Sequence, residues 1–152
     1  MRKINIRPVE IIGNCPASLA LGDQFQIEGM KLGNPRQSNL CFLALSHFPI
    51  MIWQLQSESR FFSHASCPGC ISRLDQENRV VFLLGHADKW ALCQIISEYL
   101  RLCRQCEEPE IARRLKEEAI QHQNRGEYAE AARKMEAALK ELKRVATLRE
   151  TP

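Results

Sequence analysis

Ser66-Cys67-Pro68-Gly69-Cys70 is the stretch best equipped for chemistry, because it sets two soft sulfur ligands on either side of a Pro-Gly turn. A loop of this kind can curl until both thiolates point into one hollow and hold a metal, or it can close into a redox disulfide. His64, Cys67 and Cys70, joined by Cys15 or Cys41 from elsewhere in the chain, would supply the nitrogen and sulfur ligands of a four-coordinate zinc site. Residues three apart on a strand point to opposite faces, so His64 and Cys67 converge only if the chain leaves strand geometry at Cys67. A second pair, Cys103 and Cys106, stands 32 residues beyond the first, a longer gap than the roughly 15 to 20 residues of compact zinc modules. The same thiolates would suit an iron–sulfur cluster, which takes cysteine ligands throughout. The enzymatic alternative makes Cys67 and Cys70 a dithiol–disulfide centre. Such centres normally open a helix whose dipole lowers the thiol pKa, whereas Ser72-Arg73 and the turn at Asp75 read as strand.

The elements that must position these thiols fit within a modest chain. Its 152 residues suffice for about one domain with a real core, and 45% hydrophobic with 26% charged residues is ordinary for a globular protein. The net charge of +3 is spread evenly: 11 basic and 8 acidic residues precede position 107, and 10 of each follow. With no Lys/Arg-rich stripe and no interleaved aromatics, a nucleic-acid partner is not expected. The longest apolar stretch, Leu40 to Leu55, is interrupted by Ser46, His47, Pro49 and Gln54 and is shorter than the roughly 20 residues of a membrane span, so no membrane partner is expected either. Met1-Arg2-Lys3-Ile4-Asn5 runs directly into strand-like alternation without a signal-peptide pattern, which points to the cytoplasm. Seven cysteines in such a chain suggest metal binding, redox work or burial rather than a disulfide framework.

In chain order, Ile4 and Ile6 alternate with polar residues, and Val9, Ile11 and Ile12 resume on a shifted phase after Pro8. That is a strand with a bulge at Pro8, or an edge strand. Phe25 and Ile27 form one face of a second strand. The Gly-, Pro- and Asn-rich segment 29–39 reads as a loop that ends on Ser38 or Asn39 as a helix N-cap. Leu40, Cys41, Leu43, Ala44, Leu45 and Phe48 then cover nearly every side of a helix, the pattern of a central buried one, which Pro49 breaks or kinks before Ile50 to Leu55 continues. Arg60 to His64 is a short aromatic strand, and Val80 to Leu84 the clearest strand of the chain. From Asp88 the spacing turns helical: Trp90 to Cys103, a helix opened by Pro109, and a last helix from Tyr128 that follows the turn Asn124-Arg125-Gly126. Glu130 with Lys134 and Glu136 with Lys140 stand at i, i+4 on the last helix.

Cys15-Pro16, Gly22-Asp23 with Phe25, Cys41 with Pro49, and Cys67-Pro68 ahead of Val80-Val81-Phe82 together resemble a small prokaryotic repeat family with three Cys-Pro landmarks and no assigned reaction. Phe42 stands where that family has its second Pro, and Gly69-Cys70 replaces its acidic continuation. The resemblance implies an α+β fold. Ala119, Gly126, Tyr128, Ala131, Met135 and Ala138 fall at spacings that resemble one tetratricopeptide repeat, with Leu115 in place of the common Trp and His122 in place of an aromatic. A lone copy must cover its open flank with the rest of the chain, with another subunit or with a partner.

These readings give an α+β domain over residues 1–86, with a small, mainly antiparallel sheet on a buried helix. A helical segment follows over 87–148, ending in a TPR-like hairpin, with a tail at 149–152. The expected role is a small binding or accessory protein, with a structural zinc or no cofactor. Thiol redox or iron–sulfur electron transfer is the alternative, and enzymatic activity is not the primary expectation. Leu139 and Leu142 are the residues expected to meet a protein partner or a second copy, through the C-terminal helices.

Overall fold

A computed structural model describes residues 2–29, 31–33, 41–57, 60–67 and 78–150. The chain divides into two compact units, Met1–Trp90 and Ala91–Pro152, slightly later than the boundary expected from sequence.

Unit one is built on an antiparallel five-stranded sheet of β1 (Lys3–Ile12), β2 (Phe25–Glu28), β3 (Lys31–Gly33), β4 (Phe62–Ser66) and β5 (Arg79–His86), in the order β3-β2-β1-β5-β4. Two short helices, α1 (Phe42–His47) and α2 (Pro49–Gln56), cover one face. The fold is therefore α+β, as the alternation of residue types implies.

β1 is an inner strand, which settles the two readings of Pro8 in favour of the bulge. Pro8 lies opposite Phe82, Glu10 opposite Val81, and the register slips by one residue between them. The slip carries Ile11 onto the face already occupied by Ile4 and Ile6, so the shifted phase of the sequence still fills one core. β2 pairs with β1 only as far as Ile6 opposite Phe25. Beyond that point the β2 side of β1 has no ladder to interrupt, which makes the missing N–H of Pro8 tolerable.

The core consists of Ile4, Ile6, Phe25, Ile27, Val80, Phe82 and Leu84 from the sheet, met by Ala44, Phe48 and Leu55 from the helices. Phe48 stands edge-on to Phe82, with ring centroids 5.1 Å apart and planes at 75°, a favourable arrangement for two quadrupoles. His86 is buried at the end of β5, its Nε2 2.7 Å from the Leu55 carbonyl and its Nδ1 3.4 Å from the Arg2 guanidinium. Since a carbonyl only accepts, the ring hydrogen sits on Nε2, and His86 acts as a tie between β5 and the end of α2.

Two sequence expectations change here. The helix expected to be buried all round and to break or kink at Pro49 is two short ones, with Pro49 in the first turn of the second and Cys41 as N-cap of the first, and it is buried on one side only. The expected cap at Ser38 or Asn39 lies outside the described residues. Part of the segment read as loop forms β3, an exposed edge strand that pairs with β2.

Unit two contains α3 (Trp90–Cys103, whose first residue belongs to unit one), α4 (Glu110–Asn124) and α5 (Tyr128–Glu150). Helices α4 and α5 form a hairpin around small residues, Ala112 and Ala119 facing Ala131, Met135 and Ala138 in the buried seam. Gly126 makes the turn at φ +79°, a left-handed conformation that suits glycine. Lys134 reaches across to Glu118 at 2.7 Å rather than along its own helix to Glu130, which pairs with Arg133 instead. Helix α3 lies against the hairpin, shown by Lys143 Nζ 2.6 Å from Glu98 and by Lys116 Nζ 5.8 Å from the centre of the Tyr99 ring. Helix α5 continues to Glu150, past the expected start of the tail at 149.

Candidate functional site

Three cysteines of unit one stand at the rim of its core. Cys15, Cys41 and Cys67 are each half-buried and packed against the sheet-and-helix cluster. Cys15 arrives in a turn closed by Ser18 N–H to the Cys15 carbonyl at 2.9 Å, and the neighbouring Asn14 N–H donates to Asn78 Oδ1 at 2.7 Å. Cys67 continues the β4–β5 ladder: its N–H donates to the Val80 carbonyl at 2.9 Å and its Sγ accepts the Val80 N–H at 3.1 Å. Cys67, the residue after β4, packs against the core cluster, while His64 lies opposite Leu83, edge-on to Phe62. Cys70 and the Pro68-Gly69 turn lie outside the described residues. Among the described residues, no three His, Cys, Asp or Glu side chains stand close enough together to hold a metal ion.

The second pair occupies the end of α3. Cys103 is the last helical residue, and Cys106 is buried in the following turn with its Sγ 3.4 Å from the Leu102 carbonyl. Both are free thiols. Beside them stands a polar cluster that sequence spacing does not reveal. Glu108 Oε1 accepts the Tyr99 hydroxyl at 2.6 Å and Lys116 Nζ at 2.5 Å. Burial alone would raise the Glu108 pKa, but hydrogen bonds from Lys116 and Tyr99, with the charges of Lys116 and Arg113, outweigh it and hold the carboxyl below its ordinary value. Burial and the Glu108 charge push the Cys103 thiol up, against the opposing pull of Lys116. Tyr99 is pushed far above the usual phenol range by burial and by its bond to Glu108. The raised value makes Cys103 a poorer nucleophile at neutral pH than an ordinary thiol.

Leu139 and Leu142 are buried, at 6% and 0% exposure, within the packing of α5. These two leucines are core residues and are not available as a docking surface. Trp90 to Cys103, the segment that could close the open flank of the hairpin, lies against it, consistent with their burial.

Exposed large apolar side chains occur in both units, Leu100, Ile111, Ile120 and Leu148 in unit two among them, and the two most exposed, Phe42 and Ile50, are on unit one. Phe42 on α1, and Ile50 and Trp53 on α2, are 80%, 71% and 69% exposed. Ile50 and Trp53 are three residues apart on the side of α2 opposite Leu55, while Ala44, Phe48 and Leu55 hold the two helices to the sheet. The whole run 41–57 contains no Asp, Glu, Lys or Arg. The sequence does carry this signal, as apolar residues on every side of a helix, and it reads as burial within a single chain. In the structure the sheet covers only one side.

Comparison with known protein families, with curated proteins and with solved structures finds no match to this chain.

Proposed function

We propose that this chain is a protein-binding accessory protein whose contact surface is the solvent side of α1 and α2. The observation that carries the reading is the exposure of Phe42, Ile50 and Trp53 on a run without a single charged side chain. Scattered exposed apolar residues are normal on monomers, but two large aromatics and an isoleucine on adjoining helices, with no charge among them, have the composition of an interface centre. Aromatic residues are also the side chains that most often dominate binding energy. In this reading the thiols of unit one fill the edge of the core, a usual place for free cysteine.

The test is capture by the full-length protein from its native lysate, paired with thermal unfolding. Phe42→Ser and Trp53→Ser should each abolish capture of any protein the wild type retains, and both should leave the unfolding temperature nearly unchanged, because neither side chain is buried in the fold. Capture that survives both substitutions, or wild-type protein that neither retains a partner nor self-associates, refutes the assignment of this face.

A further inference from the structure

We propose that Cys103 and Cys106 form a reversible intramolecular disulfide, with a small-molecule disulfide of the glutathione class as oxidant, and act as a thiol switch in the connection between α3 and α4. Nothing in this switch depends on the docking role of α1 and α2.

The backbone brings the two thiols to one side of a tightened turn. Arg104 N–H donates to the Arg101 carbonyl at 3.3 Å and Gln105 N–H to the Leu102 carbonyl at 2.8 Å, each three residues back, and Cys106 N–H shares the Leu102 carbonyl at 3.0 Å. Residues three apart eclipse where a helix tightens in this way. On a regular helix such neighbours hold their Cβ atoms about 5–6 Å apart, and a disulfide needs about 3.5–4.5 Å, so closing the bond asks for a movement of roughly 1–2 Å at most. Charge on Cys106 also acts on the Cys103 thiol, which places both sulfurs in one electrostatic neighbourhood.

Their surroundings assign the roles. Cys103 is half-buried, whereas Cys106 is buried with its Sγ 3.4 Å from the Leu102 carbonyl, so an outside reagent reaches Cys103 first. Its thiolate attacks one sulfur of glutathione disulfide; the S–S bond of the reagent breaks and one glutathione thiolate leaves. Cys106 then gives up its proton and attacks the Cys103 sulfur, which expels the second glutathione thiolate. The protein dithiol is oxidised by two electrons, glutathione disulfide is reduced to two glutathione molecules, and these take up the two thiol protons. Entry is slow because the Cys103 thiol is pushed up by burial and by Glu108, which suits a response to sustained oxidation rather than rapid turnover.

Oxidation takes the Cys106 sulfur off the Leu102 carbonyl and ties the last residue of α3 to the segment leading to Glu108, which accepts from Tyr99 on α3 and from Lys116 on α4. The state of the thiols is thereby coupled to the polar cluster that joins the two helices.

Incubation of the full chain with oxidised glutathione, followed by tryptic mapping, tests the switch. Wild-type protein should yield peptides 102–104 and 105–113 joined by a disulfide within a single chain, and excess reduced glutathione should separate them. Cys106→Ser should stop at one glutathione held on Cys103, and Cys93, fully buried in α3, should stay a thiol. Amide hydrogen exchange across 99–116 should differ between the reduced and oxidised wild type. Wild-type Cys103 and Cys106 that both remain thiols, or that stop at the glutathione adduct, overturn the proposal. A disulfide that forms with no change in exchange across 99–116 removes the switch as well, since the bond would then be silent in the fold.

Discussion

Replacing Leu139 and Leu142 together with glutamate separates a core role for the last helix from a docking role, and the structure sets the scale of the effect. The two side chains are 6% and 0% exposed. Truncation of a buried leucine to alanine costs about 2–5 kcal/mol, and an unpaired carboxylate in its place adds a desolvation penalty of several kcal/mol for each ion. Against this stands the stability of a unit of roughly 60 residues, which at about 0.05–0.15 kcal/mol per residue amounts to about 3–9 kcal/mol. The double variant should therefore lose the fold of α3, α4 and α5 altogether. Far-ultraviolet circular dichroism should show a large loss of helical signal, and amide hydrogen exchange should show unprotected α4 and α5. A milder pair, Leu139→Ala and Leu142→Ala made singly, should stay folded at low temperature with lowered unfolding midpoints, the larger drop at Leu142. A double glutamate variant with full helical signal and protected α5 amides would refute the burial argument and return these residues to the surface.

The Glu108 cluster gives two further expectations. The folded-state pKa of Glu108 is depressed, so its ionised form stabilises the fold above the ordinary carboxylate range, and that contribution is lost as the pH falls through the depressed value. Glu108→Gln should lower stability by about 1.5–3 kcal/mol at neutral pH, the usual worth of a hydrogen bond to a charged group. It should also flatten the acid side of the stability profile measured by denaturant titration across pH, and an unchanged acid limb would remove Glu108 from the account. The raised Cys103 pKa predicts slow alkylation by iodoacetamide at neutral pH, with faster reaction in Glu108→Gln, which loses a charge that raises that pKa. Peptide mapping by mass spectrometry reads the rate at Cys103, and reaction as fast as a free thiol in the wild type would contradict the geometry.

Local pattern was enough to determine which segments become strands and helices wherever one face is apolar. Phe25 and Ile27 alternate with polar neighbours and lie in the sheet, the phase change at Pro8 is the bulge, and helical spacing from Trp90 onward becomes α3, α4 and α5. Pattern alone left open what each apolar surface touches, because burial depends on elements distant in the chain. The segment 41–57 reads as a buried helix and instead exposes Phe42, Ile50 and Trp53, since one sheet can cover only one side of it. Leu139 and Leu142 read as a free flank and are core, because α3 lies against the hairpin. Ligand spacing likewise singles out His64 and Cys67, but not that His64 stands edge-on to Phe62 while Cys67 packs at the core with the Val80 N–H on its sulfur. The Tyr99–Glu108–Lys116 cluster had no motif at all, since its members come from a helix, a connecting turn and a second helix whose approach only tertiary packing decides.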